Sequence, residues 1–333
     1  MKMKRTLSAL TAGLLIAATA ACGGNSPAPE AASSNETRDV ANADSKLITM
    51  ITNEPANPFW KASGDAVTAE GKSLGYDVTV LAHNGDTKKE GDMVDSAITN
   101  KSAAVIMDPA NADGSIGAVQ KLVAAGIPVF LVNAEINQQG LAKSQLVSNN
   151  AQGAALGAEE FVKKMDGKGK YVELIGPASD NNAATRSNGF KTVLSQYPDL
   201  KLLDSQVANW DQKLGHDKMQ SMLQAHPDIE GVIAGNDQMA LGAIAAIKEA
   251  GKLDDITVGG FDGNPDAAAA VEGGNLDYSV LQPVVDFSKQ AVIQADSYLK
   301  SGKTGVDEEK QSFDCYLITK ENVETYSDFT LKN

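Results

Sequence analysis

The sequence predicts an α/β protein built from two doubly wound parallel-sheet lobes. Short, continuously apolar runs alternate with longer amphipathic segments, and this pattern occurs twice along the 333 residues. Strands that are apolar along their whole length are typical of parallel sheets with helices on both faces. The chain is also too long for one compact core, so two lobes fit it better than one large sheet.

The elements of the first repeat are well separated by loops. We predict amphipathic helices over 58–74, from about 87, and over 115–125. The apolar strands between them are predicted at 47–51, 76–81, 104–107 and 128–132.

The second repeat has the same alternation. Each of its first strands is followed by a helical segment, and a further apolar run at 278–281 ends at Gln282. The predicted strands are 171–175, 201–207, 231–234 and 256–259. In doubly wound sheets the loops that leave the carboxyl ends of the strands form the ligand crevice, so functional residues are expected there.

The start of the chain is predicted to be an export signal, not part of the fold. Three basic residues among the first five precede an apolar stretch over 7–21, which is too short to span a bilayer comfortably. Small residues then lead to Cys22, as in bacterial lipoprotein signals, where that cysteine is acylated. An ordinary cleaved secretory peptide is the alternative. Residues 22–45 contain almost no large apolar side chain, so we expect a flexible tether.

Composition excludes several classes of function. The formal net charge is −14 at pH 7, which argues against nucleic-acid binding because that requires clustered Lys and Arg. Only Cys315 remains after Cys22, so no intramolecular disulfide is expected; it lies in a strand-like run over 313–318 and is expected to be a buried small hydrophobe. The three histidines have no metal-ligand spacing. No glycine-rich dinucleotide motif follows the first strand, and we expect no metal and no cofactor.

Both tryptophans fall in predicted crevice loops. Trp60 follows Asn57, Pro58 and Phe59 at the start of a helix, and Trp210 follows the strand at 201–207. Aromatic faces can pack on the apolar face of a sugar while amides and carboxylates bind its hydroxyls. The alternatives are that Asn57 only caps the helix and that both tryptophans belong to the core.

Polar side chains recur at the ends of successive predicted strands. Any one of them could be a helix cap or a solvated loop residue, but their recurrence at strand ends favours a shared binding site. The candidates are Asn133, Glu135, Arg186, Asn236, Asp262 and Gln282.

These motifs make the chain similar to the ribose-binding branch of the periplasmic binding proteins. The resemblance covers residues 46–320 and is carried by 235–243 (GNDQMALGA), 258–266 (VGGFDGNPD) and 57–60 (NPFW). It implies two lobes joined by a three-segment hinge, the type I arrangement. The implied N-terminal lobe comprises 46–149 plus 283–312, and the C-terminal lobe 150–282 plus 313–333, after a signal peptide at 1–21 and a tether at 22–45.

The resemblance also implies roles for individual residues. Phe59, Trp60 and Trp210 would sandwich the ligand. Hydrogen bonds to its hydroxyls would come from Asn57, Arg186, Asn236, Asp262 and Gln282, with Asn53 and Asp108 as further candidates. The chain has Asn133-Ala134 where ribose-binding proteins have Asp-Arg. With Glu135 adjacent, this favours a differently shaped ligand, either a short sugar alcohol or an unusual pentose.

The function expected from these observations is solute capture. The chain would be a monomeric, exported substrate-binding subunit of an ABC importer, lipid-anchored to the outer face of the cytoplasmic membrane. It would close on a small polyhydroxylated ligand and deliver it to a permease. A sensory receptor for a sugar-like signalling molecule shares this architecture. An enzyme is not expected, because no Ser-His or Cys-His arrangement is present.

Overall fold

The computed structural model describes residues 41–42 and 44–331, and these form two six-stranded sheets covered by helices. The predicted signal segment, Cys22 and the tether up to residue 40 lie outside the described residues. Within the described part of the chain, no helix combines the length and hydrophobicity needed to cross a membrane.

The first sheet is parallel throughout and has the order β11-β5-β4-β3-β1-β2. Its helices are α1 (Pro58–Ser73), α2 (Thr87–Thr99) and α3 (Ile116–Ala124). Its strands in chain order are β1 (Leu47–Thr52), β2 (Asp77–Ala82), β3 (Ala104–Met107), β4 (Val129–Val132), β5 (Ser144–Ser148) and β11 (Lys310–Phe313).

The second sheet repeats this order as β12-β10-β9-β8-β6-β7, with β12 antiparallel to β10. Its strands are β6 (Gly169–Ile175), β7 (Leu200–Val207), β8 (Gly231–Ala234), β9 (Thr257–Asp262), β10 (Tyr278–Leu281) and β12 (Tyr316–Thr319). Its helices are α4 (Asn150–Lys164), α5 (Asn181–Leu194), α6 (Gln212–Ala225), α7 (Asp237–Glu249) and α8 (Pro265–Glu272). By position in the sheet, β1, β3 and β4 correspond to β6, β8 and β9.

The chain passes between the sheets three times: after β5, after β10 and between β11 and β12. The helix α9 (Val284–Ser301) follows the second crossing and packs on the first sheet. The run at 313–318, predicted as one strand, is two strands in different sheets, because Asp314 and Cys315 make the third crossing. Cys315 is 2% exposed, which confirms its expected burial.

A short C-terminal hairpin contacts both lobes. Its strands are β13 (Tyr326–Ser327) and β14 (Thr330–Leu331). The ring of Phe329 packs edge-on against Phe59 of the first lobe, with centroids 6.1 Å apart. The Tyr326 hydroxyl donates a 2.6 Å hydrogen bond to the carbonyl oxygen of Gly263 in the second lobe. The hairpin therefore joins the lobes outside the three crossings.

The helices α6 and α7 approach each other closely because glycines lie between them. A Cβ on Gly242 would lie 2.0 Å from the backbone oxygen of Gln212, and one on Gly215 would lie 2.7 Å from that of Met239. Both glycines are therefore required by packing. In contrast, a Cβ on Gly91 in α2 would meet no atom within 4 Å.

We expect Gly242→Ala to destabilise the protein by about 1–3 kcal/mol, because the added methyl group forces α7 away from α6. Gly91→Ala is the matched control and should stabilise α2 by roughly 0.5–1 kcal/mol, since alanine favours helix interiors. Urea unfolding of both variants measures the difference. Equal stabilities would contradict the assigned packing.

Candidate ligand-binding cleft

A small cavity of about 20 Å³ lies between the lobes at the carboxyl ends of the strands of both sheets, and we call it the enclosed cavity because most of its lining side chains are buried. The first lobe contributes Asn57, Phe59, Trp60 and Asn133. The second contributes Asp180, Asn182, Arg186, Trp210, Asn236 and Asp262, with Gln282 at the second crossing. A larger outer groove of about 840 Å³ shares five of these residues, so the enclosed cavity and the groove are contiguous.

The lobes touch directly across the cleft. The side-chain amide of Asn182 donates to the carbonyl oxygen of Asn133 at 3.2 Å, and that of Asn181 donates to Oδ1 of Asn137 at 2.8 Å. The backbone NH of Ala112 also donates to the carbonyl oxygen of Ser179. The structure is therefore a closed form, in which groups lining the enclosed cavity have little access to water.

Helix N-termini place several polar side chains at the cleft. Asn57 caps α1 by accepting from the backbone NH of Phe59, and Asn236 caps α7 by accepting from that of Met239. Asp180 caps α5 in the same way through Asn182. A capping side chain accepts a hydrogen bond from a backbone NH that has no partner within the helix. In this protein the same bond also fixes the position of the capping side chain in the loop after a strand.

The Arg186 guanidinium is the central cation of the site. It is 4% exposed and donates from Nε to Oδ1 of Asn150 at 2.7 Å and from Nη1 to the carbonyl oxygen of Gly235 at 2.8 Å. Nη1 also pairs with Oδ1 of Asp262 at 3.3 Å. The guanidinium stacks 4.0 Å from the centroid of the Phe261 ring. These bonds use Nε and Nη1 and hold the fork in one orientation.

Asp262 and Gln282 form the polar wall beside Arg186. Nε2 of Gln282 donates to Oδ1 of Asp262 at 2.7 Å, while Oε1 of Gln282 is buried without a hydrogen-bond partner among the described residues. Asp262 has a φ of 131°, a strained value for a residue with a side chain. Burial raises the pKa of Asp262 to about 7, against the opposing effect of Arg186.

Asp237 supports this wall from behind. Its carboxylate accepts from the Ser279 hydroxyl at 2.7 Å and from the backbone NH of Asn264 at 2.7 Å, and Ser279 in turn accepts from the backbone NH of Gly263. Burial raises the pKa of Asp237 to about 6. These bonds hold the turn that follows Asp262 and therefore its strained backbone.

The two tryptophans are held differently. The indole NH of Trp210 donates to Oδ2 of Asp180 at 3.1 Å, and its ring packs directly against Gly176, where a Cβ would lie 2.0 Å from the nearest ring atom. The indole nitrogen of Trp60 is buried without a hydrogen-bond partner among the described residues, although the indole is close enough to lower the pKa of Asp108 slightly. Phe59 also lines the cavity, but it packs largely in the core against Phe287.

Asp108 and Asn133 form a buried pair on the first lobe. Nδ2 of Asn133 donates to the Asp108 carboxylate at 3.1 Å, and Asn133 has a φ of 63°. Burial raises the pKa of Asp108 to about 8. A ring nitrogen of His83 lies 2.8 Å from the Asp108 carbonyl oxygen and helps to fix this loop.

The predicted site residues divide into three groups. The enclosed cavity brings together nine of them: Asn57, Phe59, Trp60, Asn133, Arg186, Trp210, Asn236, Asp262 and Gln282. Asn53 and Asp108 line only the outer groove. Glu135 lies apart from both, because its carboxylate pairs with Lys310 at 2.6 Å beside a separate surface cavity. Its carboxylate is thus engaged at that other cavity, although Glu135 lies only three residues after the end of β4.

Sequence reasoning missed Asp180 and Asn182, which line the cavity, and Asn150, which bonds to Arg186 and Asn182. The available signal was the Asp-Asn pair at the start of α5, typical of a helix cap. Among the described residues, no group of three or more His, Cys, Asp or Glu side chains is arranged to hold a metal ion.

Comparison with known proteins agrees with this architecture. The family model for the periplasmic binding protein domain matches residues 48–304. The D-apiose import binding protein of Actinobacillus succinogenes is 47% identical over 290 residues, covering 87% of this chain and 93% of that protein. The protein of the same name from Paraburkholderia graminis is 48% identical over 286 residues, covering 86% and 91%.

Solved structures give the same result. An ABC transporter solute-binding protein from Bacillus halodurans C-125 with bound myo-inositol superposes with a TM-score of 0.79 at 26% identity, covering 88% of this chain and 100% of that chain. The two α/β lobes and this structural likeness confirm the predicted fold class. The matched family and relatives are substrate-binding proteins of transporters, not enzymes, as expected from the sequence. The chain belongs to the periplasmic binding proteins, as a sugar-binding member of their type I, ribose-binding branch.

Proposed function

We propose that this protein captures D-apiose, a branched five-carbon aldose, or a closely similar pentose or short polyol, for an ABC importer. The observation that carries the proposal is the 47% and 48% identity, over more than nine-tenths of their length, to two D-apiose import binding proteins. Asn133-Ala134, where ribose-binding proteins have Asp-Arg, supports a ligand other than cyclic ribose.

The cavity offers a ligand both aromatic surface and unpaired polar groups. Trp60 and Trp210 would pack on its apolar faces. Oε1 of Gln282 and the indole NH of Trp60 are buried without a hydrogen-bond partner among the described residues, and both residues line the cavity. Arg186 would add a donor through Nη2. Each buried polar group left without a partner costs about 1–3 kcal/mol, so a ligand with hydroxyls at these positions is selected.

Closure would couple capture to transport. A ligand bound between the lobes favours the closed form, in which bonds such as that from Asn182 to Asn133 are made, and a permease can distinguish this form from the open one. We further propose that the protein acts as a monomer and that acylated Cys22 tethers it to the membrane.

The primary test is a binding titration of the purified protein with D-apiose, D-ribose and xylitol. Because both tryptophans of the chain line the cleft, we expect D-apiose to change intrinsic fluorescence and to give a calorimetric isotherm with micromolar or lower Kd. Binding should also raise Tm through mass action. If fluorescence, calorimetry and Tm are all unchanged by D-apiose, the proposed ligand is wrong.

A substitution at Gln282 tests the cavity itself. Gln282→Leu removes the free acceptor and the hydrogen bond to Asp262 at similar volume, so we expect affinity for the ligand to fall by about tenfold to a hundredfold. Gln224→Leu, on the exposed face of α6, is the control and should leave Kd unchanged. A wild-type Kd in Gln282→Leu would place the ligand elsewhere.

The lipid anchor can be tested independently of the ligand. We expect the wild-type chain to sediment with membranes, whereas Cys22→Ser should appear in the soluble extracytoplasmic fraction, because a serine cannot be acylated through a thioether. Metabolic labelling with a palmitate analogue provides the second readout. Labelling of Cys22→Ser, or its retention on membranes, would contradict the proposed anchor.

A further inference from the structure

The C-terminal hairpin formed by β13 and β14 contacts the ligand site from behind on both lobes. On the second lobe, the Tyr326 hydroxyl donates to the carbonyl oxygen of Gly263, the residue directly after Asp262. On the first lobe, the Phe329 ring packs on Phe59, which lines the enclosed cavity. None of the described hairpin residues lines that cavity. The hairpin therefore acts on a bound ligand only through neighbouring residues.

Three hydrogen bonds hold the turn that follows Asp262, and Tyr326 supplies one of them. The backbone NH of Gly263 donates to the Ser279 hydroxyl at 3.1 Å, and that of Asn264 donates to a buried carboxylate at 2.7 Å. The Tyr326 hydroxyl binds the carbonyl oxygen of Gly263 at 2.6 Å. Asp262 and Gly263 have φ values of 131° and 75°. A backbone in this region is unfavourable for Asp262, so it persists only where such bonds hold it.

The Tyr326 hydroxyl also joins the two contacts of the hairpin. While it donates to Gly263, it accepts a 3.1 Å hydrogen bond from the backbone NH of Phe329. Asp328 and Phe329 have φ values of 44° and 62°, which suit glycine or asparagine better than a bulky aromatic residue. The Phe329 ring is nevertheless 4% exposed and meets the ring of Phe59 at an interplanar angle of 74°. Packing on Phe59 thus stabilises a turn that is otherwise unfavourable.

The hairpin also borders a cavity whose walls come from both lobes. This surface cavity of about 420 Å³ is lined by α1 of the first lobe, by Pro265 at the start of α8 in the second, and by Asp328 and Phe329. The hairpin follows β12, the last strand of the second sheet, whereas Phe59 belongs to α1. A change in the angle between the lobes would therefore shift the ring of Phe329 relative to that of Phe59.

We propose that Tyr326 and Phe329 are positioning residues of the ligand site, acting through Asp262 on the second lobe and through Phe59 on the first. This rests on the proposed function, because it requires a ligand that closes the cleft between those two residues. With the hairpin in place, a ligand meets both side chains already fixed, so less conformational entropy is lost on binding. The contact between Phe329 and Phe59 also favours the closed form, from which the ligand dissociates slowly.

Two substitutions each remove one contact. Tyr326→Phe deletes only the hydroxyl, and Phe329→Leu replaces the ring with a smaller apolar side chain. Tyr316→Phe is the matched control, because this tyrosine of β12 is 53% exposed. D-Apiose, D-ribose and xylitol are titrated by calorimetry and by stopped-flow tryptophan fluorescence. For the compound that binds, we expect Kd to rise about threefold to tenfold in each of the two variants, mainly through faster dissociation, and to keep its wild-type value in the control.

Affinity separates a positioning role from a purely structural one. A residue that only stabilised the fold would lower the apo Tm but leave the Kd of the folded protein unchanged, because titrations are made well below the Tm of every variant. The calorimetric stoichiometry gives the folded fraction. If both variants bind with the wild-type Kd, the proposal is wrong, whatever their Tm values. If only one substitution weakens binding, the role assigned to the other residue is wrong.

Amide hydrogen exchange of the ligand-free protein tests the Tyr326 contact without any ligand. We expect the amides of Gly263 and Asn264 to exchange about threefold to tenfold faster in Tyr326→Phe and at wild-type rates in Tyr316→Phe. Unchanged exchange would show that the hydroxyl does not hold this turn, and would overturn the proposal. Faster exchange, with no binding of any of the three compounds, would support the positioning of Asp262 and show that the proposed ligand is wrong.

Discussion

The buried ion pair between Arg186 and Asp262 is the interaction on which the rest of the site depends. An unpaired guanidinium or carboxylate at this depth would be strongly unfavourable, and the partners of the Arg186 guanidinium come from three places: α4, the end of β8 and the end of β9. The pair therefore fixes the mutual positions of those elements. It also positions the aromatic surface of Phe261 and Trp210, which stack against the guanidinium.

Much of the fold could be predicted from the sequence because its physical cause is local. Continuous apolar strands such as Ala104–Met107 and Gly231–Ala234 are found where they were expected. The crossing at Asp314 and Cys315 could not be found this way. Residues 313–318 have strand character throughout, and only the pairing of β11 and β12 with different sheets divides them.

The candidate site was predictable to the extent that strand ends define it. Nine of the twelve ligand-binding candidates line the enclosed cavity, since side chains at carboxyl ends of parallel strands converge. Glu135 shows the limit of predicting a site from strand ends. It is close in sequence to Asn133, but its carboxylate pairs with Lys310 at another cavity. Asp180 and Asn182 were missed for a different reason. Helix-cap motifs are common in sequences, and only the contact between the two lobes places this one at the cleft.

The side chains near the ends of corresponding strands in the two sheets affect how a ligand would be oriented. Near the ends of three corresponding pairs of strands, one lobe has an amide and the other a carboxylate: Asn57 and Asp180 after β1 and β6, Asp108 and Asn236 after β3 and β8, and Asn133 after β4 with Asp262 at the end of β9. The two sheets therefore share one strand order, but the side chains at these three pairs of strand ends differ in their chemistry. A polyol whose two ends are nearly alike would therefore meet different side chains on the two lobes. One of its two orientations in the cleft would be lower in free energy than the other.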